Sequence, residues 1–160
     1  MIAEQIVELI EIHAARLASD VAHDLRTHER TTSFRRVPLA DLEERLFQIV
    51  HHLGDWIGHR GNEGVKLEFG EWGGKRFAQG IPLSEVVFAI MLLKQRLRQY
   101  VQENGLIEAA FPRSDADYVL PMHLYSLQDL NVHIGLFFDE ALYQLAMGFE
   151  GRARQAAATN

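Results

Sequence analysis

The chain has 160 residues, 48% of them hydrophobic and 24% charged, with a net charge of −6 and no cysteine. That length supports one good core and is short for two. The negative balance argues against a binder that neutralises nucleic-acid phosphates, and the absence of cysteine removes disulfides, thiol catalysis and cysteine–zinc sites together. Cysteine-free composition fits a reducing cytoplasm. Glu4 and Glu8 interrupt the N-terminal apolar pattern, which therefore reads as neither signal nor transit peptide. The longest apolar run, Val86 to Leu93, is far shorter than the roughly 20 residues of a membrane span.

Five helices and no strand are expected. The first covers about Ile2 to Leu25, with Ile6, Leu9, Ile10, Leu17 and Val21 at helical spacing. Residues 26–37 are polar and basic and read as a loop. The second helix starts near Pro38, which suits a first turn, and runs to about Ile57. Leu42, Leu46, Ile49, Val50, Leu53, Trp56 and Ile57 make one broad stripe, so this helix has a single buried face. Gly58 and Gly61 stop it, and Asn62 is a plausible N-cap for the third. The third carries Val65, Phe69, Trp72 and Phe77 on one side. Gly70, Gly73 and Gly74 lie within it, each costing about 1 kcal/mol against alanine. Close approach of a neighbouring helix is the expected compensation, with a kink as the alternative. Gly80 ends the third helix and Pro82 opens the fourth, where Ser84 and Glu85 face the positive end of the helix dipole. The fourth is apolar nearly all round, runs to Glu103, and is closed by Asn104 and Gly105. A loop with Pro112 leads to the last helix, Asp115 to Glu150, with Pro121 in its first turn or kinking it. Residues 151–160 read as a frayed tail, and 1–150 as one domain.

The last helix has two apolar faces. Leu120, Leu124, Leu127, Leu130, Ile134, Phe138, Ala141, Leu142, Leu145 and Phe149 share one side. Tyr118, Met122, Tyr125, Val132, Leu136, Tyr143 and Met147 share the opposite side. One face packs on the domain's own core. The other needs a second cover: a partner subunit, a ligand, or the first helix of the same chain. A homodimer through this face is expected, since symmetric dimers are the commonest oligomer.

Candidate chemistry is thin. His51, Asp55 and His59 are spaced four apart, and so are Asp129 and His133; helical pairs at that spacing can share a metal. His51 and Asp55 lie opposite the Leu46–Leu53 stripe and read as solvated. Asp129 and His133 sit beside the tyrosine-rich face and read as an interface or pocket-edge polar pair before metal ligands. His23-Asp24-Leu25-Arg26-Thr27 is similar to the phosphoacceptor box of histidine kinases, but His28 replaces the usual proline and no ATP-binding domain follows. Arg76 shares a side with Phe69 and Trp72. It reads as an anion or ligand contact in a pocket, or as an ion pair with Glu85 or a residue of another helix. Asn131 projects from the core side of the last helix, as a register-fixing polar group. The tyrosines read as packing residues before a ligand pocket. No nucleophile elbow and no phosphate loop occurs, so no catalytic residue is assigned.

The run Gly74-Lys75-Arg76-Phe77-Ala78-Gln79-Gly80-Ile81-Pro82-Leu83-Ser84-Glu85 resembles a motif of bacterial signalling proteins. So does Phe137-Phe138-Asp139-Glu140-Ala141-Leu142-Tyr143, ending in Gly148-Phe149-Glu150. The resemblance is to the N-terminal sensory domain of RsbT co-antagonist proteins, the input end of stressosome-type regulators. Related domains stand ahead of histidine kinase modules. It covers about Leu39 to Glu150. It implies an all-helical input domain with globin-like packing that dimerises and passes a signal to an output domain or regulator protein. Such domains generally lack haem, and no histidine here commends itself as a proximal ligand. No output module follows within the 160 residues, so the resemblance leads to a stand-alone regulator or an excised domain.

The reading is an all-α, five-helix bundle with a long C-terminal helix. It acts as a non-enzymatic, cofactor-free, cytoplasmic signal-transduction domain, homodimeric through the last helix, with neither nucleic acid nor membrane as partner. The rival is a metal- or haem-binding helical bundle with a redox or storage role.

Overall fold

A computed structural model describes residues 2–58, 61–110 and 116–160, and side chains over 3–58, 63–104 and 121–160. In chain order the helices are α1 (Ile2–Ile12), α2 (Ala14–Thr27), a 3-10 segment (Glu29–Arg36), α3 (Leu39–His51), α4 (Leu53–Gly58), α5 (Gly61–Ala78), α6 (Leu83–Ala110) and α7 (Ala116–Ala158). Among the described residues there is no strand, and the fold is all-α as expected. No described helix is long and apolar enough to cross a membrane.

Among the described residues the expected five helices become seven α-helices, because two of them break for one residue. The first breaks at His13 (φ −92°, ψ 14°), although His13 N–H still reaches the Leu9 carbonyl at 3.0 Å. The His13 ring nitrogen competes for that same carbonyl at 2.9 Å and also meets the Tyr100 hydroxyl at 3.0 Å. The second breaks at His52 (φ −107°, ψ 24°). Residues 29–36, expected as a loop, wind into a 3-10 segment with a non-helical Thr31. Thr31 is fully buried, and its hydroxyl donates to the Leu25 carbonyl at 2.6 Å, satisfying a helix-end acceptor. Glu85 fastens this segment to α6. Its carboxylate accepts from the Ser33 N–H at 2.8 Å and the Ser33 hydroxyl at 2.9 Å.

Gly80 ends α5 as expected, with φ +70°. The Ile81 N–H bonds the Arg76 carbonyl at 3.1 Å and the Gly80 N–H bonds the Phe77 carbonyl at 2.9 Å. That pair of bonds is a Schellman closure, which needs a left-handed residue at Gly80's position. The Pro82 carbonyl then accepts the first two bonds of α6, from Glu85 and Val86. Asn104 and Gly105 do not close α6, which continues to Ala110, and α7 runs on to Ala158 through the residues expected to fray.

α7 is the organising element, packed along α5 and α6, with α1 and α4 also touching it; α2 pairs with α3. An aromatic cluster joins α4, α5 and α7: Trp56 stacks on Phe137 at 5.8 Å, and Phe69 meets Trp72 edge-on at 4.7 Å. The α5–α7 crossing is backbone against backbone. A Cβ on Gly73 would strike the Leu145 carbonyl oxygen and come within 2.8 Å of the Phe149 nitrogen. A Cβ on Gly148 would strike the Gly70 carbonyl oxygen and lie 2.7 Å from the Gly70 Cα. Close approach, the first of the two expected explanations, accounts for Gly73, while a Cβ on Gly70 or Gly74 would meet only ordinary contacts at 3.8 Å.

Candidate functional site

The inward face of α7 forms as read for Leu127, Leu130, Ile134, Phe138, Ala141 and Leu145, all buried. Leu142 and Phe149 are partly buried against the core, Leu124 is exposed, and the Leu120 side chain lies outside the described residues. Phe137, assigned to neither face by the sequence, is also buried. It is covered because α4 and α5 wrap further round α7 than a single contact stripe implies.

The outward face is open. Tyr125 is 75% exposed, Met122 71%, Leu136 63% and Tyr143 58%, and Val132 and Met147 are also exposed. The Tyr118 side chain lies outside the described residues. Steps of three, seven, four, seven and four residues from Met122 to Met147 keep these side chains in one seam at the heptad spacing of helix pairing. Asp129 and His133 interrupt it near its middle. The His133 ring nitrogen Nδ1 lies 2.8 Å from the Asp129 carbonyl oxygen and 3.5 Å from its carboxylate. Clefts of about 440 Å³ and 200 Å³ flank His133, the larger rimmed by Glu4, Glu8, Glu11 and Asp55, the smaller by Trp56 and Glu140.

The other polar candidates come apart. The break at His52 ends the helix that would have aligned His51 with Asp55. His51 stacks on Phe47 at 4.9 Å, Asp55 pairs with His52 at 3.6 Å, and His59 lies outside the described residues. Among the described residues no three His, Asp or Glu side chains converge as a metal-ligand set. In the kinase-like box, His23 is exposed and Asp24 is bound to Arg96 at 2.6 Å, away from the histidine it would activate. The Asn131 side-chain oxygen is buried and has no hydrogen-bond partner among the described residues. Burial raises the Tyr100 phenol above its ordinary pKa, and the nearby charge of Arg16 works against that.

Arg76 is half-buried in a cleft of about 460 Å³ between α3 and α5. Its expected partner Glu85 is engaged by Ser33. Instead the Arg76 guanidinium donates to Gln79 at 2.8 Å and lies over the Phe34 ring at 5.6 Å. Burial and the like charge of Arg45 lower its pKa, and Asp41 raises it; an arginine stays charged throughout. Arg45 lies over Trp72 at 5.1 Å. The sequence reading missed Arg45. Its signal was available: it sits between Leu42 and Leu46 at the edge of the α3 stripe, where a charge borders apolar surface.

A family profile, the RsbT co-antagonist protein rsbRD N-terminal domain, matches residues 15–123, more than half of the chain. The match takes in the Gly74–Glu85 motif and stops short of Phe137–Glu150, the other stretch that carried the resemblance. No curated protein and no solved structure matches the chain. The all-helical architecture and the extent of this match agree, and the chain belongs to the family of RsbT co-antagonist protein rsbRD N-terminal domains, regulatory domains of signal transduction.

Proposed function

We propose that this domain is a non-enzymatic input module of a stressosome-type regulator, working as a homodimer through the outward seam of α7. One observation carries the reading: six apolar side chains at heptad spacing stay exposed on a helix whose opposite face packs on the core from Leu127 to Leu145. An exposed seam of that length is unusual on a monomer and fits a self-complementary helix pair. Tyr and Met, which dominate it, are favoured at protein interfaces. Met122, Tyr125, Val132, Leu136, Tyr143 and Met147 are the contact residues, with Tyr118 extending the seam. Asp129 and His133 form a polar pair within it.

The signal is a change in helix packing. α7 meets both its own core and its partner, so any shift of α5 or α6 against α7 alters the seam and biases one dimer arrangement over another. Leu136→Glu with Tyr143→Glu tests the interface by sedimentation velocity. The expected result is a folded monomer, with the helical circular dichroism of the parent. An unchanged dimer, or a parent chain that is monomeric at high micromolar concentration, overturns the reading. Metal analysis of the purified parent separates this reading from its rival: stoichiometric metal or haem lost in His133→Ala would favour the rival.

A further inference from the structure

We propose that the cleft between α3 and α5 binds a small organic anion: a carboxylate on a short apolar body. Its charge sits between the Arg45 and Arg76 guanidiniums, and its apolar part runs along Trp72 into the void beneath.

Two adjoining spaces carry this inference. The outer cleft, about 460 Å³, is of ligand-pocket size. Beneath it lies an apolar void of about 50 Å³, walled by Leu25, Phe34, Leu46, Ile90 and Leu145. Trp72, Arg45 and Arg76 line both spaces, and the two arginines are the charged residues common to them. The site therefore has a cationic waist between a wet mouth and a dry floor. That is the complement of a carboxylate carried on a few carbons.

The arginines are placed for the task. Each guanidinium lies over an aromatic ring, Arg45 on Trp72 and Arg76 on Phe34, a contact that narrows its range of positions before a ligand arrives. Among the described residues Arg45 forms no hydrogen bond or ion pair, and Arg76 gives one of its five donors to Gln79. Two like charges that repel one another leave a standing demand for an anion. Asp41 and Glu44 at the exposed rim supply part of it from the solvent side, with Glu44 also accepting from Gln48. A carboxylate between the two forks gains paired, charge-assisted bonds that Asp41 does not occupy.

Occupancy would reach α7 directly. α5 carries Trp72 and Arg76, and Gly73 between them rests on the Leu145 carbonyl; Leu145 itself walls the void. A ligand wedged beside Trp72 therefore bears on the α5–α7 crossing, where there is no slack. This consequence rests on the regulatory reading; the binding itself does not.

The test is titration of the ¹⁵N-labelled full chain with sodium hexanoate, and with hexanamide as the neutral isostere, followed at the indole N–H signals of the two tryptophans. Trp72 lines the cleft and Trp56 does not. The expected result is a saturable shift of the Trp72 signal by hexanoate, with Trp56 unmoved and hexanamide at least about tenfold weaker. Arg45→Gln and Arg76→Gln each weaken hexanoate by about tenfold or more. Arg45→Lys and Arg76→Lys keep the charge and lose the fork, so they fall between; they decide the matter if a glutamine variant loses its helical signal. No saturable Trp72 shift overturns the proposal. So does equal binding of the amide, or affinity indifferent to both arginines. A monomeric parent that still binds hexanoate upholds the site and removes the dimer reading, so the two fail separately.

Discussion

The two sides of α7 obey different rules. Where it crosses α5, two backbones touch, and Gly73 and Gly148 exist because no side chain fits. On its opposite side large apolar side chains stand in the open, from Met122 to Met147. The first surface is completed within the chain, so every atom there has a neighbour that constrains it. The second is left largely open by the chain. A sequence pays attention to both in the same alphabet of Leu, Phe and Tyr, and only the small residues distinguish them. At Gly148 the glycine marks an occupied crossing, whereas Gly135 on the same helix stands in open space.

Five substitutions on these helices break or sharpen that contrast. Phe138→Ala removes a fully buried ring from the inward face and is expected to lower stability by about 4 kcal/mol, measured by urea unfolding. Gly148→Ala, and equally Gly73→Ala, forces a methyl onto backbone atoms and is expected to cost about 3 kcal/mol or more, because a carbonyl of the facing helix cannot swing aside as a side chain would. Gly135→Ala lies on the same helix with nothing within 4 Å of its new methyl. It should leave the fold unharmed or raise its stability by about 0.5–1 kcal/mol, by removing a helical glycine. If Gly135→Ala and Gly148→Ala have equal effects, the crossing is looser than the structure shows. Leu136→Glu changes stability least, within about 0.5 kcal/mol under monomeric conditions, since the side chain is 63% exposed and only borders a cleft. A large loss there would mean that the seam is folded against something in its own chain.

Much of this architecture was legible in the residues. The closing of α5 at Gly80 followed from one glycine before a proline, and the inward face of α7 from helical spacing. The outward seam was legible as well: the six members whose side chains are described are all exposed. What escaped was set by contacts between distant residues. The breaks at His13 and His52 carry no glycine or proline. His13 is pulled out of line by a carbonyl of its own turn and by Tyr100, 87 residues on. The 3-10 winding of 29–36 depends on Thr31 reaching Leu25 and on Ser33 reaching Glu85. Local propensity could not weigh either. The burial of Phe137 required knowing that α4 and α5 both embrace α7. Asn104 and Gly105 looked like a helix stop and were passed through, since a single glycine costs a helix only about 1 kcal/mol.

In the Arg76 cleft the sequence supplied one of the two guanidiniums and the wrong partner. Glu85 is the nearest acid down the chain that a charge-pairing argument would choose. The fold gives it to the Ser33 backbone, a pairing visible only once residues 29–36 are wound. Arg45 was hidden by its position on an amphipathic helix, where a charge beside the stripe ordinarily reaches water.

A 43-residue helix is about 65 Å long at 1.5 Å per residue. Its tightest contact is close to one end, at Gly148, while the open seam extends some 23 residues away to Tyr125, about 35 Å along the axis. Such a helix is a lever with its fulcrum at a pair of glycines. A tilt of about 5° at the fulcrum, smaller than the ordinary scatter of helix crossing angles, carries Tyr125 through roughly 3 Å. Leu127 and Leu130, buried along the same stretch, travel almost as far, so the tilt that separates one seam from another also slides the inward face of α7 over its own core.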